Sequence, residues 1–230
     1  MDQFYPVLAA IAGGILPALA WLWFWTREDA KNPEPRRLLA LAFLAGMITV
    51  AIVIPMEKYA ATVIASQTLT FIAWSCIEEV MKFLAASATV LRNKADDEPI
   101  DPVIYMVTVA LGFAAAENTL FLLSPLAGTT VMQTIITGNL RFVGATLLHV
   151  LSSAVIGLAL GVSFYMKRRM KRRFVAAGVI LACILHASFN FFILRTAEAN
   201  LLQTFAFVWI GVVILLAALE FVKRLRPGRV

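Results

Sequence analysis

Residues 60–91 read AATVIASQTLTFIAWSCIEEVMKFLAASATVL. This stretch is long and apolar enough to cross a bilayer as a helix, since about 20 such residues span the hydrocarbon core of roughly 30 Å. It nevertheless carries three ionisable side chains near its centre, Glu78, Glu79 and Lys82. At the centre of a membrane each charged side chain costs about 2.5 to 3.5 kcal/mol unless it is paired, neutralised or hydrated. The stretch therefore predicts a membrane helix that contributes to a buried polar site.

The rest of the chain has the same apolar character. Of its 230 residues 61% are apolar and 15% are charged, and the mean hydropathy is +0.84. A soluble domain has roughly 45–50% apolar and 25% charged residues, so a soluble globular domain is excluded. We expect an all-α, polytopic transmembrane bundle that forms one integral membrane domain over residues 1–230. The predicted spans, about seven in number, are Phe4–Thr26, Arg37–Met56, Ala60–Leu91, Pro102–Ser124, Phe142–Met166, Phe174–Leu194 and Leu201–Val222.

The positive charges indicate the orientation of these spans. Most of the 20 lysines and arginines fall in the segments 27–37, 92–94, 167–173 and 223–229. Short basic loops lie on the cytoplasmic side, so the N-terminus is predicted outside and the C-terminus in the cytoplasm. The net charge of +6 is therefore explained by the basic residues of the cytoplasmic loops. The run Lys167–Arg173, interpreted as a short turn between two spans, predicts no nucleic-acid partner.

Ionisable residues also occur inside three other predicted spans. Counted from the cytoplasmic ends, Glu79, Glu117, His149 and His186 lie at similar depths, within a band of roughly 8 Å at 1.5 Å per residue. Groups at one level on separate helices can find partners across a bundle, which predicts one shared polar site. The band lies slightly beyond the midplane as counted from the cytoplasm, which favours access from the outer face.

Each of these helices carries a companion residue four positions away on the same face. The pairs are Glu78 with Lys82, Phe113 with Glu117, His149 with Ser153, and His186 with Asn190. Arg141, at the outer start of the fifth span, either anchors that helix at the interface or reaches the site. The two cysteines lie in apolar runs, which is typical of small buried side chains.

Three of these groupings form motifs. Residues 78–82 read EExxK, residues 113–117 FxxxE and residues 186–190 HxxxN. In this order the chain resembles the PrsW family of membrane proteases, distant relatives of the CAAX-type prenyl endopeptidases. The resemblance covers a core of about residues 60–194, flanked by helices at 4–56 and 201–222. Glu117 stands where the prenyl endopeptidases have histidine, and Lys82 lies one position earlier than their arginine.

The resemblance implies an intramembrane peptidase in the plasma (inner) membrane of a prokaryote, a multi-pass protein whose partners are the lipid bilayer and a membrane-anchored protein or peptide substrate. Cleavage of a single-span protein, such as an anti-sigma factor, is implied on or near the extracytoplasmic side.

Two mechanisms fit the residues. In the first, Glu78 is the general base that activates water, Glu79 orients it or shares its proton, and Glu117 is a second acid or a water ligand. His186 and Asn190 then stabilise the oxyanion, and His149 completes that pocket or binds water. In the second, zinc is held with an open water position by Glu79, Glu117, His149 and His186. There is no HExxH motif to support the second on spacing, and no other cofactor is expected.

Two non-enzymatic functions also fit intramembrane Glu, Lys and His residues. One is a proton- or ion-coupled transporter, in which such residues form a relay. The other is an inactive scaffold that binds membrane partners. The sequence has no inverted repeat, which argues against the transporter.

Overall fold

The computed structural model describes residues 4–28, 32–123, 142–196 and 201–226. Those ranges are almost entirely helical and contain no strand. The helices are α1 (Phe4–Glu28), α2 (Arg36–Val63), α3 (Gln67–Thr89), α4 (Asp101–Leu123), α5 (Leu147–Val162), α6 (Arg168–Thr196) and α7 (Leu201–Val222). A π-helical turn, Phe142–Thr146, leads into α5. The prediction of an all-α helical membrane bundle is confirmed.

Five of the helical segments in the described ranges are long and apolar enough to cross a membrane. They are Val7–Arg27, Arg36–Val63, Asp101–Leu123, Gly144–Val162 and Arg168–Phe191, and Val208–Val222 is a shorter apolar helix. α3, with its central ionisable residues, is not among them. A helix lies at each predicted position, while the number of crossings, the side of each terminus and the single domain over residues 1–230 stay predictions.

One boundary between predicted spans is wrong. The sequence places a connection between Met56 and Ala60, but α2 continues to Val63 and α3 begins at Gln67. The chain breaks instead at Ile64, whose φ of −102° and ψ of 110° are extended. Pro55 does not end α2, because membrane helices accommodate proline through adjustments of neighbouring groups. Glu57 consequently lies within a helix.

A second predicted boundary is also wrong. The basic run Lys167–Arg173 was expected to form a turn, but α6 begins at Arg168 and contains nearly all of it. Lysine, arginine and methionine are good helix formers, and the run contains neither glycine nor proline. The basic side chains are therefore displayed on a helix. We call the end of the bundle that holds Arg92 and Arg168 the basic end.

α4 is the central helix and packs against α1, α2 and α5. Its residues from Asp101 to Ala115 are all buried. The approach of α2 and α4 depends on two glycines, because a Cβ on Gly46 or Gly112 would overlap the backbone of the facing helix. Small residues of this kind let membrane helices pack closely. α3 packs against α2 and α6, and α5 against α4 and α6, so four helices surround the predicted polar band.

Acidic side chains cluster in the loop between α3 and α4, at the basic end of the bundle. The backbone N–H groups of Asp97 and Glu98 donate to Oδ2 of Asp101 at 2.8 and 2.6 Å. Asp96 lies beside this cluster, and its Oδ1 is buried without a hydrogen-bond partner among the described residues. Burial, reinforced by the Asp101 carboxylate and opposed by Lys171, raises the pKa of Asp96 to about 7. Asp96 is therefore a titratable group near neutral pH.

Asp96→Asn is expected to remove part of the pH dependence of stability. The folded state keeps the Asp96 proton up to a pH of about 7, whereas an unfolded aspartate loses it near a pH of about 4, so this contribution to stability is lost as pH rises between those values. The variant should match the wild type in thermal unfolding near pH 4 and exceed it at pH 8. Asp97→Asn, at an exposed neighbour, is the control. An unchanged difference between wild type and Asp96→Asn across this range would contradict the assignment.

Candidate active site

The structure brings the ionisable residues of four helices to one buried site. α3 contributes Glu78, Glu79 and Lys82, α4 contributes Glu117, α5 contributes His149, and α6 contributes His186. Glu79 and Lys82 are completely buried, and Glu78, His149 and His186 have 8%, 3% and 1% of their surface exposed. Glu117 is the most open member, with 36% of its side chain exposed.

Glu79 is the most completely bonded side chain of the site. Its Oε1 accepts from Lys82 Nζ at 2.6 Å and lies 2.7 Å from Nδ1 of His186. Its Oε2 accepts from the Ser153 hydroxyl at 2.8 Å. The carboxylate thus joins α3, α5 and α6. Lys82 is much closer to Glu79 than to Glu78, whose Oε2 is 4.0 Å away.

The hydrogen-bond partners of the two histidines indicate their tautomers. His149 Nδ1 faces Lys82 Nζ at 3.2 Å, and its Nε2 lies 2.7 Å from Oε2 of Glu117. An ammonium group can only donate, so Nδ1 accepts and Nε2 carries the hydrogen that is donated to Glu117. His186 likewise donates from Nδ1 to Glu79. Each ring therefore donates from one nitrogen to a carboxylate. The other nitrogen of His149 accepts from Lys82, whereas Nε2 of His186 keeps a lone pair for another partner.

Both of these second ring nitrogens face Glu78. Oε2 of Glu78 is 3.5 Å from Nδ1 of His149 and 3.8 Å from Nε2 of His186. This oxygen is buried and has no hydrogen-bond partner among the described residues. One ligand atom from each of the three residues lies within 4.8 Å of the others. These three acceptor atoms are buried and face one another, with the Lys82 ammonium bonded to the one from His149, so the group suits a cation.

The donor set also suits a metal chemically. One carboxylate and two imidazoles form a familiar zinc set in hydrolases. Metal-binding histidines almost always donate their other N–H to a carboxylate or carbonyl, as His149 and His186 do to Glu117 and Glu79. The sequence-based metal set named Glu79 and Glu117, whereas the structure groups Glu78 with the two histidines. Glu79 and Glu117 instead accept hydrogen bonds from the ring nitrogens of His186 and His149 that point away from Glu78.

Three further residues predicted for the site are Phe113, Asn190 and Arg141. The Phe113 ring packs edge-on against His149 with centroids 5.2 Å apart, and Lys82 Nζ lies 4.8 Å from its centroid. This ring forms an apolar wall of the site. Asn190 donates from Nδ2 to the Ser75 hydroxyl at 3.3 Å, which ties α6 to α3. Arg141 lies outside the described residues.

Glu57 is a site residue that the sequence interpretation missed. This half-buried carboxyl group of α2 lies within hydrogen-bonding reach of Glu78 and close enough to Glu117 for electrostatic interaction. Trp74 holds the two helices in register here, donating from Nε1 to the Glu57 carbonyl at 2.9 Å. The sequence interpretation assigned Glu57 to a connection between spans. The apolar run that resumes at Tyr59 was the signal that the helix continues through it.

The more exposed carboxyl groups of the site lie on the side away from the basic end of the bundle. Glu79 lies about 15 Å from Thr89, the last residue of α3, at 1.5 Å per residue. That is about half of a hydrocarbon core of roughly 30 Å. Glu57 and Glu117, the more exposed carboxyl groups, line this side.

Comparisons with known proteins identify relatives along most of the chain. The family model described as PrsW family intramembrane metalloprotease matches residues 34–219. The chain is 26% identical over 216 residues to Protease PrsW of Bacillus subtilis, covering 88% of this chain and 92% of the relative. It is also 26% identical over 192 residues to Protease PrsW of Geobacillus kaustophilus, covering 82% of this chain and 81% of the relative. No solved structure matches the chain.

The buried pair of Glu79 and Lys82 yields a stability prediction. Lys82→Met alone leaves the Glu79 charge without its closest cation in a site of low polarity, and should lower the free energy of unfolding by about 3–5 kcal/mol. Glu79→Gln/Lys82→Met removes both charges and should cost clearly less than the sum of the single changes. Unfolding of the purified protein followed by circular dichroism measures this coupling, with Lys58→Met, an exposed lysine, as control. Strictly additive energies would show that the pair is not coupled.

Proposed function

Because the chain belongs to the PrsW family of intramembrane metalloproteases, we propose that it hydrolyses a peptide bond at a metal centre formed by Glu78, His149 and His186. Family membership makes the chain a membrane protease, that is, a hydrolase acting on a protein substrate within a membrane. The comparisons therefore favour a peptidase over a transporter or a scaffold. Its relatives are bacterial, and we place it in the plasma membrane as a multi-pass protein.

The observation that carries the metal proposal is the position of Oε2 of Glu78, which has no hydrogen-bond partner among the described residues and lies between Nδ1 of His149 and Nε2 of His186. If Glu78 were a general base with no metal nearby, a hydrogen-bond donor would be expected to face this oxygen. Lys82, the neighbouring donor of α3, is bound instead to Glu79 at 2.6 Å and to Nδ1 of His149 at 3.2 Å. We therefore favour zinc at Glu78, His149 and His186 over a glutamate-activated water. When bound, the metal supplies a Lewis acid that polarises the peptide carbonyl and activates water.

The chain's own residues supply the other requirements of peptide hydrolysis. Glu79 and Glu117 fix the ring orientations of His186 and His149 through hydrogen bonds of 2.7 Å each. Glu117 is also the most open carboxylate of the site, so we assign it the transfer of a proton from water to the leaving amine. In the tautomer described, His186 has no N–H left for an oxyanion. Lys82 is the nearby cation that stabilises negative charge as it develops.

The exposed carboxyl groups of the site support a proposal for where the substrate is cut. Since the basic loops are expected in the cytoplasm, a site whose exposed carboxyl groups lie towards the other end accepts its substrate from the extracytoplasmic half of the membrane. A single-span protein presents its helix and adjoining segment at that depth. We propose a membrane-anchored substrate of this kind, such as an anti-sigma factor.

Cleavage and metal content test the proposal together. Wild-type protein in liposomes should cut a single-span reporter into defined fragments and should bind about one zinc ion per chain. Glu78→Gln and His186→Ala should lower both cleavage and zinc content by at least about 100-fold, since each removes a ligand from a buried site. Glu220→Gln, an exposed carboxylate of α7, is the matched control and should change neither quantity.

The outcomes separate the two mechanisms. Full cleavage by metal-free protein that is still abolished by Glu78→Gln would overturn the metal centre and support Glu78 as the base. Undiminished cleavage by both Glu78→Gln and His186→Ala would overturn the site itself.

We also propose that Glu57 is a positioning residue that holds the Glu78 carboxyl group. Its carboxyl group, when protonated, donates to Glu78, and glutamine at the same position also has a donor. Glu57→Gln should therefore retain zinc affinity, whereas Glu57→Ala should lower it by about 10- to 100-fold. Zinc affinity measured by competition with a chelator tests this. Lost cleavage with retained zinc affinity in Glu57→Gln would instead indicate a catalytic role in proton transfer.

A further inference from the structure

A groove runs between α3 and α6 at the basic end of the bundle, and we call it the α3–α6 groove. Its volume is about 820 Å³. The walls are apolar and come from both helices: Val80, Phe83 and Leu84 of α3, and Val175, Val179 and Ile180 of α6. Several of these side chains are exposed, so the groove opens on the outer surface of the bundle.

Positive charge is concentrated at one end of this groove. Arg92, Arg168, Lys171 and Arg172 line it there, and no described residue of the lining is acidic. Lys171 interacts with Asp96, while the three arginines are exposed. The first turn of α6 lacks an acidic residue as well. A helix N-terminus carries partial positive charge, so basic side chains there reinforce the potential.

The dimensions of the groove match one leaflet of a bilayer. Its lining extends from Val80 of α3 to Arg92 in the turn after that helix, and from Arg168 to Ile180 along α6. At 1.5 Å per residue the α3 wall from Val80 to Thr89 is about 14 Å long and the α6 wall about 18 Å, and half of the hydrocarbon core is roughly 15 Å. The charged end therefore lies at headgroup level when the apolar part lies among acyl chains.

We propose that the α3–α6 groove binds an anionic diacyl phospholipid. The arginines contact the phosphate, for which the planar guanidinium group is well suited, and the apolar walls contact an acyl chain. Basic pockets between membrane helices at headgroup level are known to favour acidic lipids. A zwitterionic lipid fills the same volume but carries a compensating positive charge that these arginines repel.

The bound lipid would contact both helices that carry the candidate metal ligands of α3 and α6. Val80 lines the groove, while Glu78 and Glu79 on the same helix turn face the site. His186 similarly lies less than two turns beyond Ile180 on α6. The groove and the site are thus two sides of one helix pair.

Lipid binding by the full chain tests the proposal through two matched double variants. Native mass spectrometry in detergent should show phosphatidylglycerol retained in preference to phosphatidylcholine. Arg168→Gln/Arg172→Gln removes two charges from the groove and should weaken phosphatidylglycerol binding by about 10- to 30-fold. Arg169→Gln/Arg173→Gln removes two charges from the same turns of α6 but outside the lining, and should change it less than about twofold.

A third variant tests the apolar part of the groove. Ala176→Trp places a bulky side chain in the lining and should reduce phosphatidylglycerol retention while leaving the arginines in place. Excess glycerol phosphate should not displace the lipid, because it lacks the acyl chain. Equal effects of the two arginine variants would overturn the proposal in favour of a general attraction to the basic end. Displacement by glycerol phosphate would overturn it in favour of a phosphate site without lipid specificity.

Discussion

The arrangement of the site depends on the bonding of one buried carboxylate. Glu79 is completely inaccessible to solvent, yet it joins Lys82, Ser153 and His186 through contacts of 2.6 to 2.8 Å. An isolated charge in a membrane interior is costly, and this network compensates it with three partners from three helices. The same contacts fix the ring of His186 and the position of α5 against α3. Stability and site geometry therefore share one set of interactions.

Adjacent positions on α3 allow Glu78 and Glu79 to have different roles. Successive residues of an α-helix are about 100° apart around its axis, so the two carboxyl groups face different neighbours. Glu79 faces hydrogen-bond donors, whereas Oε2 of Glu78 faces one ring nitrogen of each histidine. The pair thus combines a carboxylate that organises the site with one that is available for a metal. Glu117 repeats the organising role for His149 from α4.

The charged residues of the chain are concentrated in two separate regions of the bundle. Basic side chains gather at the basic end, where α6 begins within the run of lysines and arginines. The acidic and histidine residues of the site lie towards the opposite end, with Glu79 about 15 Å along α3 from its last residue. Because α3 and α6 pass through both regions, the proposed lipid groove and the proposed metal centre occupy different faces and depths of the same helix pair.

The sequence by itself determined the membrane class, the helical architecture and most of the residues that meet at the site, Glu57 excepted. Hydropathy identifies the segments that avoid water. Ionisable residues are rare in such segments, so each one can be recognised from the sequence as a candidate site residue. Only the tertiary structure decided which carboxylate faces the histidines, because that depends on helix rotation and neighbouring donors. It also decided that α2 continues past Pro55, which brings Glu57 to Glu78, and that the basic run is helical. These features arise from packing between helices distant in sequence, which local composition does not encode.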